Sequence, residues 1–221
     1  MSKGRELLEE LKWRGLIAQT TDEAALIEQL DKPTTVYLGI DPTAPSIHCG
    51  NLVVLLVLKR MQMFGHTPIA LVGGSTGLVG DPSGKSEERT FNDEAVVKEW
   101  VERIRKQVSK FLDFDIKPNS AIAVNNYDWT KEYSALRLLR EIGKHFSVNQ
   151  MLSKDSVQNR LEANGISYTE FSYQVLQGLD YLELYRRHNC KLQIGGSDQW
   201  GNIVAGLDLI RKVEGGTAHC L

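Results

Sequence analysis

The chain has 221 residues, 42% of them hydrophobic and 24% charged, and a net charge of −2 at pH 7. That length supplies a core for one large domain or two small ones, the composition is that of a globular protein, and the charge excludes a general nucleic-acid binder. Cys49, Cys190 and Cys220 are odd in number and widely spaced, which indicates neither a disulfide framework nor a CxxC zinc site; with no signal peptide and no apolar run long enough to span a membrane, a cytoplasmic setting is expected.

The segment before Pro33 reads as two helices. Leu7, Leu8, Leu11 and Trp13 form an approximate helical stripe that Gly15 ends. Thr20 and Glu23 make a capping box for a second helix, Ala24 to Leu30. Val36 to Ile40 is apolar and β-prone, and the turn-forming run Asp41 to Ser46 ends it. From Asn51 an apolar run begins that is too long for one strand and suits a buried helix. His48-Cys49-Gly50-Asn51 stands at the mouth of that helix. Free N–H groups and the helix dipole favour an anion there, and Gly50 leaves room for a flat ring.

A second strand, Ile69 to Val72, ends in Gly73-Gly74. Strand, helix and strand at this spacing make a βαβ unit and a parallel sheet, with ligands at the carboxyl ends of the strands. The glycine-rich loop that follows contains Gly84-Lys85-Ser86, but Val79 stands where a P-loop needs its first glycine. Asp81 in that loop is a candidate for holding an ammonium group. Asp93 opens a long amphipathic helix through Phe111. A third strand, Ala121 to Val124, runs into the polar Asn125-Asn126-Tyr127-Asp128-Trp129, and Ser134 to Ile142 is helical. Residues 144–168 show no clean period, as either a connective insertion or a subunit interface would.

Thr169 to Arg187 reads as a helix on which Tyr173, Gln177 and Asp180 lie within about 60° of one another. Such a stripe faces either solvent or a site. A strand, Lys191 to Ile194, then leads through Gly195-Gly196 into a last helix, Asp198 to Val213. Two strand-to-helix junctions, one in each half of the chain, fit a doubly wound α/β sheet with ligands between the halves.

Six ordered blocks now carry a resemblance: DPTAPSIHCGN, ALVGGSTGLVGDPSGK, NNYDW, GKHFSVN, TEFSYQVLQGLDYLELY and LQIGGSDQWGNI. Together they resemble the catalytic domain of bacterial-type tyrosyl-tRNA synthetases, which are class I aminoacyl-tRNA synthetases, over about Leu7 to Val213. The resemblance implies a Rossmann-like fold with a connective insertion near 144–168. His48-Cys49-Gly50-Asn51 matches the family's His-Ile-Gly-His signature, with Asn51 in place of the second histidine. An asparagine amide still donates a hydrogen bond but is never cationic. Thr43 and His48 match residues that hold the departing phosphates, and Asn51 joins them as a catalytic position. Asp41 matches a ribose or ammonium neighbour, with Gly39 and Gly50 among the nucleotide contacts. Tyr37 and Asp180 match the pair that bonds the substrate phenol. Asp81, Tyr173 and Gln177 match ligands of its α-ammonium, with Asn126 nearby. Gln193, Gly195, Asp198 and Gln199 match carboxylate and ribose contacts.

The implied reaction is attack of the tyrosine carboxylate on the α-phosphorus of ATP, followed by acyl transfer to tRNA(Tyr). Positioning and electrostatics supply the catalysis, and Mg²⁺ accompanies ATP. A homodimer without membrane association is expected. The family's lysine-bearing loop, anticodon-binding domain and C-terminal RNA-binding domain have no counterpart in the sequence. The expectation is therefore a catalytic fragment that binds tyrosine but is weakly active or inactive. The rival readings are a related nucleotidyl transferase or tryptophan-specific core, and a non-enzymatic binding module.

Overall fold

The computed structural model describes residues 1–82, 92–163 and 165–221. Five parallel strands form one sheet in the order β3-β2-β1-β4-β5. They are β1 (Thr35–Ile40), β2 (Thr67–Val72), β3 (Ile122–Asn125), β4 (Cys190–Ile194) and β5 (His219–Cys220). The chain moves outward from β1 to β3, then returns to add β4 on the other side of β1. This is a doubly wound α/β fold, and its switch point lies between β1 and β4. The two-residue β5 has too short a pattern to be legible in the sequence. Its backbone nevertheless pairs with β4, and Cys220 bonds to Thr21.

Alternation along β1 assigns the two faces of the sheet. Val36, Leu38 and Ile40 point into one apolar cluster with Leu7, Leu8 and Leu11 of α1 (Lys3–Trp13), Leu26 and Leu30 of α2 (Glu23–Leu30) and Leu55 and Leu58 of α3 (Cys49–Met63). After the short α4 (Thr76–Val79), Val97, Val101, Ile104 and Val108 of α5 (Glu94–Val108) complete that cluster. Tyr37 points the other way, into a cluster built with Leu179, Tyr181 and Leu182 of one long helix and Ile203, Leu209 and Ile210 of the last. With both faces covered, the strands read as nearly continuous apolar runs.

Between β3 and the long helix lie α6 (Tyr127–Thr130), α7 (Ala135–Arg137, continuing through Ile142 as a wider turn), α8 (Val148–Leu152) and α9 (Asp155–Glu162). Short helices explain why residues 144–168 lack a sustained period. The long helix is α10 (Tyr168–His188), capped by the Ser167 hydroxyl accepting from Glu170 N at 3.2 Å, and the last is α11 (Trp200–Glu214). A single-turn 3₁₀ segment, Ser197–Gln199, precedes α11, so the helix proper starts two residues after the expected Asp198.

Two local expectations are corrected. Trp13 is 79% exposed, because α1 is covered on one side only and Trp13 falls off that stripe. The cap of α2 is Asp22, whose carboxylate accepts from Ala25 N at 3.1 Å, while the Thr20 hydroxyl bonds Cys220 O instead. Met151 is buried within the chain, and Phe146 is half-buried and packs against the second cluster. The Gly84-Lys85-Ser86 run lies outside the described residues. Among those described, no helix is long and apolar enough to cross a membrane.

Candidate active site

A cavity of about 480 Å³ opens at the carboxyl ends of β1 and β4, where the strand order reverses. Register explains its floor: Tyr37 on β1 is paired with Gln193 on β4, so the two stand side by side on the face that α10 covers. Tyr173, Gln177 and Asp180 descend the facing side of α10 into the same cavity. The polar stripe on that helix therefore faces a site and not solvent.

Asp180 is buried, and two fixed donors hold its carboxylate. Trp129 Nε1 donates to Oδ1 at 2.8 Å and Asn126 Nδ2 donates to Oδ2 at 2.9 Å. Burial nevertheless raises its pKa to about 7; the two donors pull it down, and Asp41 and Glu183 push it up. Tyr37 is buried beside it, and burial, then the Asp180 charge, puts its phenol well above the ordinary range. The Tyr37 hydroxyl has no hydrogen-bond partner, and the same is true of Gln177 Oε1 and Gln193 Oε1. All three residues line the cavity. A buried polar atom left unpaired costs about 1–3 kcal/mol, so three around one space mark where a ligand supplies the missing bonds.

Carboxylates dominate the walls. Asp41 accepts from the Tyr173 hydroxyl at 2.7 Å and from Thr76 Oγ1 at 2.6 Å. A Cβ on Gly73 would strike both Asp41 and Thr76, so this close approach needs glycine. Burial, then Asp41, raises the Tyr173 phenol well above its usual range and keeps it a proton donor. Asp81 accepts from Gln199 Nε2 at 2.7 Å, and the same amide bonds Asp198 at 3.0 Å. Asp41, Asp81, Asp180 and Asp198 thus line one cavity whose described lining contains no lysine or arginine. That field favours an ammonium group.

The mouth is built by the start of α3. His48 is the N-cap: its Nδ1 accepts from Gly50 N at 3.1 Å and Asn51 N at 3.3 Å. Asn51 Oδ1 reciprocates by accepting from His48 N at 3.2 Å, which completes a capping box. These backbone N–H groups, expected from the sequence to be open for an anion, are spent on the cap. What remains is His48 Nε2, which carries the ring proton because Nδ1 accepts. Gly50 is required by the imidazole itself, since a Cβ there would sit 2.9 Å from His48 Cε1. The Asn51 amide nitrogen is left as a donor, with Thr43 on the same rim.

Of the residues singled out in the sequence, Tyr37, Gly39, Asp41, Thr43, His48, Gly50, Asn51, Asp81, Tyr173, Gln177, Asp180, Gln193, Gly195, Asp198 and Gln199 all line this cavity. Asn126 does not. It is fully buried behind Asp180, donates to Thr76 Oγ1 at 2.9 Å as well, and accepts from Ser75 N at 2.7 Å. Two contributors were missed. Trp129 stands three residues after Asn126, and that helical spacing could have paired them on Asp180. Thr76 carried no signal beyond the glycines before it.

Residues 29–221 match the family model for tRNA synthetases class I (W and Y). The chain is 58% identical over 209 residues to tyrosine–tRNA ligase 1 of Bacillus licheniformis, covering 94% of this chain and 49% of that protein. It is 60% identical over 211 residues to the tyrosine–tRNA ligase of Serratia proteamaculans, covering 94% and 50%. It thus spans about half the length of the curated relatives it matches. Among solved structures, a C-terminally truncated mitochondrial tyrosyl-tRNA synthetase of Aspergillus nidulans superposes with a TM-score of 0.87 at 31% identity, over 96% of this chain and 62% of that one. A tryptophanyl-tRNA synthetase of Plasmodium falciparum shares the fold, with a TM-score of 0.70 at 14% identity.

Proposed function

The chain belongs to the class I tRNA synthetases that include the tryptophan and tyrosine enzymes, and from that premise we propose that it is the catalytic half of a tyrosine–tRNA ligase. The observation that carries the choice of tyrosine is the Tyr37 hydroxyl, buried and unpartnered beside the Asp180 carboxylate. A substrate phenol placed between them donates to Asp180 and accepts from Tyr37. The substrate ammonium lies against Asp81, Tyr173 and Gln177, and Gln193 serves the carboxylate end.

In this reading the tyrosine carboxylate attacks the α-phosphorus of ATP. A bond forms from the carboxylate oxygen to phosphorus, the bond to the bridging oxygen breaks, and pyrophosphate leaves. The reaction needs no covalent nucleophile from the protein. His48 Nε2–H, the Thr43 hydroxyl and the Asn51 amide donate to the phosphates as negative charge shifts onto the leaving group. ATP would enter as its Mg²⁺ complex, which would offset phosphate charge that the four carboxylates around the cavity would otherwise repel. Its ligands would be phosphates and water, since Mg²⁺ keeps several waters and is usually held through substrate phosphates. Transfer of the tyrosyl group to tRNA(Tyr), a homodimeric assembly and a cytoplasmic setting complete the proposal. The three free thiols and the exposed apolar residues between 136 and 168 support the last two.

Calorimetric titration of the chain with L-tyrosine, L-phenylalanine and L-tryptophan tests the reading. Tyrosine binds and the other two bind far more weakly. Preference for tryptophan would replace this assignment with the tryptophan-specific one.

A further inference from the structure

Behind Asp180, on the side away from the cavity, sits a charged cluster that the proposed chemistry leaves unused. The Trp129 indole, which donates to Asp180, is itself covered by the Arg187 guanidinium, 5.6 Å from the ring centroid. Arg187 Nε donates to Glu183 Oε2 at 2.8 Å. Glu183 is buried and also accepts from the Tyr133 hydroxyl at 3.1 Å and from Arg186 Nη1 at 3.2 Å. The Arg187 side chain is 42% exposed and lines no part of the cavity.

We propose that Arg187 is a positioning residue for amino-acid selectivity: from the surface it pins the Trp129 indole against Asp180 and offsets the charge of Glu183. The inference rests on the reading of the cavity as a tyrosine site. Its two routes act in the same direction. With the guanidinium gone, the indole loses the group that holds it, and its hydrogen bond to the carboxylate slackens. Glu183 then keeps Arg186 alone as a close counter-charge, so more of its field reaches Asp180. Both changes favour the protonated carboxyl, which has lost the charge that attracts a phenol O–H. The titratable and charged groups around Asp180 and this cluster are Tyr37 on β1, Asp41 and Asp81 in the cavity, Tyr173, Glu183, Arg186 and Arg187 on α10, and Glu132 and Tyr133 after α6, with Glu132 3.8 Å from Arg187. Reducing the negative charge of Glu183 has the opposite effect to removing Arg187, and that opposition separates positioning from a general loosening of the fold.

The test is calorimetric binding of L-tyrosine and L-phenylalanine between about pH 5.5 and 8.5, a range that spans Asp180 titration near 7. The proteins are the wild-type chain, Arg187→Met, Arg187→Lys and Glu183→Gln, with thermal melts of each ligand-free form. An exposed cation–π contact is worth about 0.5–1 kcal/mol, roughly a two- to fivefold change in affinity. Arg187→Met weakens tyrosine binding by about that factor near pH 7, moves the pH midpoint of binding upward and narrows the preference over phenylalanine. Arg187→Lys keeps the cation and recovers part of each change, and Glu183→Gln moves the midpoint downward. Wild-type midpoint and affinity in Arg187→Met, or shifts of the same sign in Arg187→Met and Glu183→Gln, would overturn the positioning role while leaving the tyrosine site intact. Absence of tyrosine binding by the wild-type chain would overturn both.

Discussion

Tyr37 holds a hydroxyl that folding has dehydrated without giving it a partner. Two effects of opposite sign follow for Tyr37→Phe. The ligand-free chain gains about 1 kcal/mol or more, because a buried unsatisfied group disappears. Tyrosine affinity falls roughly 10- to 100-fold, because the phenol loses an acceptor bond in a dry site. Thermal melts of the free chain and calorimetry with tyrosine check the two halves separately; a variant that is less stable when empty would contradict the account. Asp180 adds a pH dependence. With its pKa raised to about 7, chiefly by burial, the carboxylate gains its proton as pH falls through neutrality. Tyrosine affinity therefore declines below about pH 7, by up to about tenfold per pH unit, while Asp180→Asn flattens the profile at the low affinity. Much of this was legible in the sequence, because Tyr173, Gln177 and Asp180 share one stripe of a helix and six motif blocks stand in order. The capping role of His48 was not, since a side chain that closes its own helix looks identical in sequence to one left open for a ligand.

The elements are tied together by a few buried polar links. Arg160 of α9 and Glu170 of α10 form a bidentate pair at 3.2 and 2.8 Å, both buried. Arg160→Met strands the Glu170 carboxylate and costs about 3–5 kcal/mol, whereas the double change Arg160→Met with Glu170→Leu recovers most of it. Urea melts of the two variants decide this, and equal losses would show that the pair does not couple. His66, at the turn between α3 and β2, accepts from Thr34 N at 3.3 Å and so joins the starts of two strands. Burial, then Lys3, lowers its pKa to about 4 from an ordinary 6.5. Between those values the unfolded chain binds more protons than the folded one, so stability falls as pH drops through that window. Asp180 works in the opposite sense, since its proton is held more tightly folded; the comparison is best made in Asp180→Asn. In that background His66→Asn, which keeps an acceptor but cannot titrate, reduces the loss of stability between about pH 6.5 and 4. The strands were readable as short apolar runs bounded by turn residues, and the long helices as apolar runs too long for a strand or as a 3.6-residue period. The short helices of 144–163 and the two-residue β5 were not, since they are held by tertiary contacts and are too short to show a period.

For the molecule as a whole, the segment between β3 and α10 is the surface with the clearest unmet demand. Leu136 is 81% exposed, Leu139, Val148 and Leu161 are also exposed in the same stretch, and Tyr168 at the first position of α10 is 72% exposed. Apolar surface of this kind is suited to burial against a second copy. Light scattering at micromolar concentration is expected to give about twice the 24.8 kDa chain mass, and Leu136→Glu with Tyr168→Glu to give the chain mass alone. A monomer in both cases would remove the dimer from the account. The doubly wound order could be anticipated from two strand-to-helix junctions, and it places the cavity at the switch point between β1 and β4. The central claim is that this cavity selects a phenol through Tyr37 and Asp180, and one measurement addresses it directly: calorimetric titration of wild type and Asp180→Ala with L-tyrosine and with ATP. Wild type binds tyrosine, and Asp180→Ala loses tyrosine binding while its ATP binding stays close to that of wild type. Unchanged tyrosine affinity in Asp180→Ala would contradict it.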